Sequence, residues 1–274
     1  MRKTEDIISD INKVHIDKCD INSAYIKLKD LYDEALKSCD GEIKQTHIKV
    51  DVPIFRARIF SKNLLFKYPS ELSTPPKQLT NFGRLNIIRV PVFYGAESVT
   101  TSVLEMKPKK GDGISVTENV LLTDILTAVF GNNDRYTDSV PISQNLKTFY
   151  DHVTDKISQK VDHNELHNYI HTATLGHLLF TDKNYQGVMY PSYYSENKAD
   201  NFALRQEDVE NCLQFVRIRH FKVVEVVNEF SLKIKCTAKS EKINPYGQFI
   251  WEKIDNCSIH DINSSNHIQT LKDL

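Results

Sequence analysis

The sequence predicts an α+β fold: a mixed sheet core with flanking helices, preceded by a helical segment and followed by a further extension. Three observations lead there. Apolar residues recur at spacings of three and four near the N-terminus and between residues 142 and 180. Short apolar or alternating runs, the mark of strands, lie between those helical stretches. Two such runs then follow one another directly over Phe215 to Cys236, which favours an α+β over an alternating α/β arrangement.

Within the first 40 residues, Ile21, Tyr25, Leu28, Tyr32 and Ala35 share one helical face. Asp20 or Asn22 is placed to cap the start, and Gly41 to end the helix. From Ile48 the period changes to two: Ile48, Val50 and Val52 alternate with polar residues, and Phe55 to Phe60 continues as an extended segment. Residues 61–83, with Pro69, Pro75 and Pro76, read as a long loop, and long ordered loops usually serve a site. Strands are predicted over Ile87–Tyr94, Ile114–Leu122 and Gln186–Tyr190, the last ended by Pro191. A short helix is predicted over Val99–Met106, and two longer ones over 142–160 and 163–180.

Composition narrows the function. Of 274 residues 40% are hydrophobic and 26% charged, the proportions of a soluble globular protein with a continuous core. The balance of 35 basic against 36 acidic side chains leaves a net charge of -1, so no global field draws the chain to nucleic acid or to an anionic membrane. No apolar run approaches the roughly 20 residues of a membrane span or the shorter core of a secretory signal, so a cytoplasmic location is expected. The five cysteines are scattered and form no Cys-x-x-Cys pair; reduced thiols are the expectation, not a disulfide framework or a zinc site.

Several chemistries lack their motif. His163, His167 and His171 share a helix face, but Glu165 stands outside the His-Glu-x-x-His order and a structural zinc needs four ligands, so no metal is expected. There is no Gly-x-x-x-x-Gly-Lys loop, no Gly-x-Gly-x-x-Gly turn and no nucleophile elbow.

Four fragments, taken in order, are more informative: Phe55-Arg56-Ala57; Gly83-Arg84-Leu85-Asn86 with Pro91-Val92-Phe93-Tyr94-Gly95-Ala96 after it; Thr100-Thr101-Ser102-Val103-Leu104-Glu105; and Gly187-Val188-Met189-Tyr190-Pro191-Ser192, trailed by Asn201-Phe202-Ala203-Leu204. This series resembles the RES domain, named for an arginine, a glutamate and a serine. The resemblance implies three parts: a helical N-terminal extension over 1–45, a RES domain over 46–225, and a C-terminal extension over 226–274. It also implies a core similar to that of ADP-ribosyltransferases.

The resemblance further implies an NAD-consuming toxin of a toxin–antitoxin pair, cleaving the nicotinamide–ribose bond by hydrolysis or phosphorolysis. NAD is then substrate, with no other cofactor, and a cognate antitoxin is the partner. Transfer of ADP-ribose to a protein is the alternative within enzymes. A domain that binds a ligand or partner without turnover is the alternative outside them, because Leu85 stands where the family usually has an aromatic residue. The catalytic residues implied are Glu105, Arg84 and Ser192, and the NAD-binding residues Arg56, Tyr94 and Asn201. Arg58 lies on the same strand face as Arg56, so either the two serve the phosphates together or only one of them reaches. The residue types suit the reaction. Nicotinamide leaves a cationic bond as a neutral ring, so one carboxylate that stabilises the ribosyl cation replaces the usual glycosidase pair. Guanidinium forks suit the diphosphate. Three roles stay open for the two extensions: binding an antitoxin, forming an oligomer, or covering the core.

Overall fold

The computed structural model describes residues 2–14, 20–39, 43–60, 65–131, 143–159, 169–181, 185–195, 199–265 and 270–274. In chain order the elements are α1 (Thr4–Asn12), α2 (Ile21–Ser38), β1 (Gln45–Ile48), β2 (Pro53–Phe60), β3 (Val92–Ala96), α3 (Val99–Glu105), β4 (Gly113–Leu121), β5 (Ile125–Val129), α4 (Gln144–Ser158), α5 (Ile170–Thr181), β6 (Gly187–Pro191), β7 (Asp200–Arg205), α6 (Gln206–Cys212), β8 (Leu213–Asn228), β9 (Ser231–Ser240), β10 (Glu252–Lys253) and β11 (Ile259–Asn263). This is the mixed α+β content that the sequence predicts. The chain forms two compact units: Met1–His47 with Pro76–Val92 and Ile125–Pro191, and Ile48–Pro75 with Phe93–Asp124 and Ser192–Leu274.

The first unit is helix-rich. Asp20 caps α2 by accepting from the Ser23 amide at 3.2 Å, and the helix buries Ala24, Leu28, Leu31, Tyr32 and Ala35. Tyr25 and Ile21, expected on that stripe, are only half-buried. Gly41, expected to end the helix, lies outside the described residues. Ser143 caps α4 in the same way, through the Leu146 amide. Leu146, Phe149, Tyr150, Val153 and Ile157 then repeat at spacings of three and four and are buried. In α5 nine of twelve residues are buried, so it is a core helix and not an amphipathic surface one. Gly176 is required there, because a Cβ would stand 2.3 Å from the Leu85 carbonyl oxygen. The strands of this unit run in the order β1-β5-β6, with β5 and β6 parallel.

The second unit is a sheet in the order β7-β3-β2-β4-β8-β9-β10, with β11 also on β9. Strands β2, β4, β8 and β9 are successively antiparallel. Alternation along these strands gives the sheet two unlike faces. One carries Phe55, Ala57, Ile114, Val116, Phe221, Val223, Ile234 and Cys236, which pack with Val99, Val103 and Leu104 of α3. Each such large side chain contributes about 1.5–3 kcal/mol on full burial. The opposite face carries Arg56, Arg58, Ser115, Thr117 and His220. A smaller cluster of Phe66, Leu72, Ile218 and Phe249 lies beside Phe60, Phe215 and Trp251.

Some predicted boundaries shift. The alternation at Ile48, Val50 and Val52 is not a strand: Asp51 turns the chain with a φ of 65° and Val50 is 43% exposed, while the strand precedes it at Gln45–Ile48. The strand expected from Ile87 begins at Val92, because Arg89 takes a φ of 63° and Pro91 has no amide to donate. Strand β6 includes Pro191 instead of ending before it. Within 65–83 the loop forms two short 3₁₀ turns, Pro69–Leu72 and Lys77–Leu79. The predicted helix 163–180 is described only from residue 169, so its Leu166 lies outside the described residues.

Candidate functional site

Helix α3 starts at Ser98, whose hydroxyl accepts from the Thr101 amide at 3.0 Å. Six of its seven residues are buried, and Glu105, the last, is half-buried at the open end. Two side chains from another part of the same unit meet its carboxylate. Ser192 donates to Oε1 at 2.6 Å, and Nδ2 of Asn201 donates to the same oxygen at 2.7 Å. Both donors are buried, Ser192 fully. Oε2 of Glu105 accepts no hydrogen bond among the described residues.

The segment that presents these donors is itself braced. The Ser192 amide donates to the Ala199 carbonyl at 3.0 Å, and the Tyr194 amide donates to the Ser192 hydroxyl oxygen at 3.2 Å. That second bond directs the Ser192 proton toward Glu105. Ser195 bonds the Ser192 and Ala199 carbonyls, and also accepts from the Ala199 amide. Glu97 accepts from the Asp200 amide through its side chain while its own amide donates to the Asp200 carbonyl. Sequence reading singled out neither Ser195 nor Glu97: a turn serine and a glutamate beyond a strand carry no signal of their partners.

Arg56 and Tyr94 form a second group. Nη1 of Arg56 donates to the Tyr94 carbonyl at 2.6 Å, and the guanidinium lies 4.7 Å from the centre of the Phe93 ring, within cation–π range. Arg56 is 8% exposed and its Nε has no hydrogen-bond partner. Burial, and then the charge of Arg58, holds the Arg56 guanidinium well below the usual arginine range. An arginine stays charged in proteins, so that direction measures an uncompensated burial cost, which an anion would offset. Arg58 is also lowered by burial; it donates to the Ser73 carbonyl at 2.9 Å and its Nε is likewise unpartnered. The Tyr94 side chain is half-buried. Arg56 projects from the face of β2 opposite to that of Phe55 and Ala57, the residues packed on α3.

Arg84 belongs to the first unit. It donates through Nη1 to the carbonyls of Ile157 and of Gln159, the latter at 2.9 Å, and lies 5.4 Å from the centre of the Tyr169 ring. It thus takes up the carbonyls left open at the end of α4. Of the six sequence-selected residues, then, Glu105, Ser192 and Asn201 form one hydrogen-bonded cluster, Arg56 and Tyr94 a second group, and Arg84 stands with α4.

His163 and His167 lie outside the described residues, and among the described residues no group of three or more His, Cys, Asp or Glu side chains is arranged to hold a metal ion. Cys39, Cys212, Cys236 and Cys257 are free thiols. No helix among the described residues is long and apolar enough to cross a membrane.

Comparison with protein-family models matches residues 55–224 to the RES domain, more than half of the chain. No curated protein matches the sequence.

Proposed function

Because the chain belongs to the RES-domain family, we propose that it consumes NAD by breaking the nicotinamide–ribose bond, through hydrolysis or phosphorolysis. The observation that carries this reading is the Glu105 carboxylate, held at one oxygen by Ser192 and Asn201 with its other oxygen open. Departure of neutral nicotinamide leaves positive charge on the ribose, and a fixed carboxylate oxygen is the group that stabilises it. Two donors on Oε1 fix the plane of the carboxylate, so that Oε2 faces the sugar without reorganisation at the moment of reaction. Ser192 and Asn201 act here as positioning groups.

Arg56 supplies a buried guanidinium whose Nε awaits a partner, which suits a diphosphate oxygen. Tyr94 shapes the nicotinamide–ribose end. The catalytic domain in this reading runs over 46–225, and the protein acts in the cytoplasm as a toxin restrained by an antitoxin. Residues 226–274 help to cover the core, through Leu232, Ile234, Cys236 and Ile262, and the exposed faces of residues 1–45 and 226–274 are offered to that antitoxin or to a second copy.

The test is incubation of the purified protein with NAD, with and without inorganic phosphate, resolving nicotinamide, ADP-ribose and its phosphate. Release of nicotinamide that Glu105→Gln abolishes is expected. Nicotinamide with label on protein would move the assignment to ADP-ribosyl transfer. Intact NAD would leave a ligand- or partner-binding domain.

A further inference from the structure

We infer that the polar sheet face of the second unit holds a separate anion site over β8, β9 and β10, suited to the phosphoryl group of a small phosphate monoester. Nothing in it depends on the chemistry assigned to Glu105. The strand registers align one row across five strands: Arg58 opposite Ser115, Ser115 opposite His220, His220 opposite Ala238, and Ala238 opposite Lys253. Residues directly opposite one another share a face, so this row is a continuous strip.

The middle of the strip is fixed. Nδ1 of His220 lies 2.8 Å from the Ser115 hydroxyl, and both residues are buried. That leaves Nε2 as the ring's remaining polar atom. Gly113 makes room for the ring: a Cβ there would stand 3.0 Å from both Cε1 and Nε2 of His220. Beyond the histidine the row drops to a methyl at Ala238. Above it opens a cavity of about 290 Å³ lined by Leu65, His220, Lys222, Thr237, Ala238 and Lys253.

This lining selects charge of one sign. It includes two lysines and a histidine but no acidic residue. Lys233 and Lys239, on the neighbouring strand, pair with Glu225 and Glu252, whereas Lys222 and Lys253 have no carboxylate partner among the described residues. The Thr237 hydroxyl is committed to the His220 carbonyl, at 3.1 Å. Lys222, Lys253 and His220 are then three donors for three terminal oxygens, the pattern of a phosphate and not of a planar carboxylate. Leu65 and Ala238 supply an apolar wall, and the volume lies at the lower end of ligand pockets, about 300 Å³, enough for a short organic ester. Burial lowers the His220 imidazole, so it is neutral before an anion enters; a bound dianion raises it.

Trp251, the sole tryptophan, lies 6.5 Å from the His220 ring and reports on the site. The whole protein is titrated with inorganic phosphate, with n-butyl phosphate and with acetate, following Trp251 fluorescence and the His220 ring-proton signal against pH. Saturable binding of n-butyl phosphate with a dissociation constant on the order of 1 mM is expected, tighter than inorganic phosphate, with a rise in the His220 pKa. Lys222→Ala with Lys253→Ala weakens it at least about tenfold while the circular dichroism spectrum is unchanged. No saturable response to either phosphate, an equal response in the double variant, or acetate binding as tightly would each overturn the site. Tighter binding of inorganic phosphate would overturn the ester assignment.

Discussion

The hydroxyl of Ser192 lies 2.6 Å from Oε1 of Glu105, a short hydrogen bond to a carboxylate that joins residues 87 positions apart in the chain. Asn201 completes the grip from β7. If these donors set the carboxylate's orientation, removing one loosens a catalytic group without removing it. Ser192→Ala and Asn201→Ala are each expected to lower kcat for nicotinamide release about ten- to hundredfold, the cost of one hydrogen bond to a charged group, about 1.5–3 kcal/mol. KM should change little. A rise in KM at constant kcat would instead make Asn201 a substrate contact.

How much of this cluster was legible follows from what each residue needed. Glu105 and Ser192 stood in motif fragments, so their order along the chain named them. Their contact did not, because it depends on the fold bringing the end of α3 to the segment after residue 191. Strand β7 was missed for a related reason. Its first residues, Asp200 and Asn201, are polar yet buried, their groups bonded to Glu97 and Glu105, so the strand lacks the apolar signal that periodicity detects. By contrast β8, rich in Val, Ile and Phe, and β9, where Leu232, Ile234 and Cys236 alternate with polar residues, were plain in the sequence. The short edge strands β10 and β11 were not, since each is specified mainly by pairing with β9.

Gly176 tests how tightly α5 is seated. A methyl there would come within 2.3 Å of the Leu85 carbonyl oxygen and within 2.9 Å of its Cα, both backbone atoms that no rotamer change can clear. Gly176→Ala normally favours a helix by up to about 1 kcal/mol. Here overpacking outweighs that gain, and a net loss of about 1–3 kcal/mol is expected. The urea midpoint should fall. An unchanged or raised midpoint would mean that Leu85 yields freely.

A pH dependence follows from His152 on α4. Its Nε2 is buried without a partner, its ring lies 6.3 Å from that of Tyr32, and burial, then Lys156 and His171, pushes it down to about 4. Asp155 opposes the shift. The folded state therefore favours the neutral ring, and the unfolded chain binds the proton first. Stability is fully present above the ordinary histidine value near 6.5 and is lost as pH falls from there toward 4. The whole shift corresponds to no more than about 3 kcal/mol, at 1.36 kcal/mol per unit. Urea denaturation at pH 7 and at pH 4.5 should show this loss, and His152→Gln should reduce it. Equal slopes in the two proteins would place the acid sensitivity elsewhere.

Arg56 offers the sharpest separation of folding from ligand binding. Its guanidinium already gives one bond to the Tyr94 carbonyl and rests over Phe93, so some of its hydrogen-bonding capacity is spent on holding β3. The remaining buried Nε costs free energy in the empty protein and returns it only when an anion arrives. Lysine keeps the charge but has no planar fork, so it cannot serve the carbonyl and a diphosphate oxygen together. Arg56→Lys should therefore weaken NAD binding about tenfold or more while leaving the thermal midpoint within a few degrees. Arg56→Met removes the burial cost along with the charge; it should fold at least as well as the lysine variant yet bind NAD more weakly still. If instead the methionine variant unfolds while the lysine variant binds NAD normally, the arginine is a brace between β2 and β3, and the diphosphate is held by other groups.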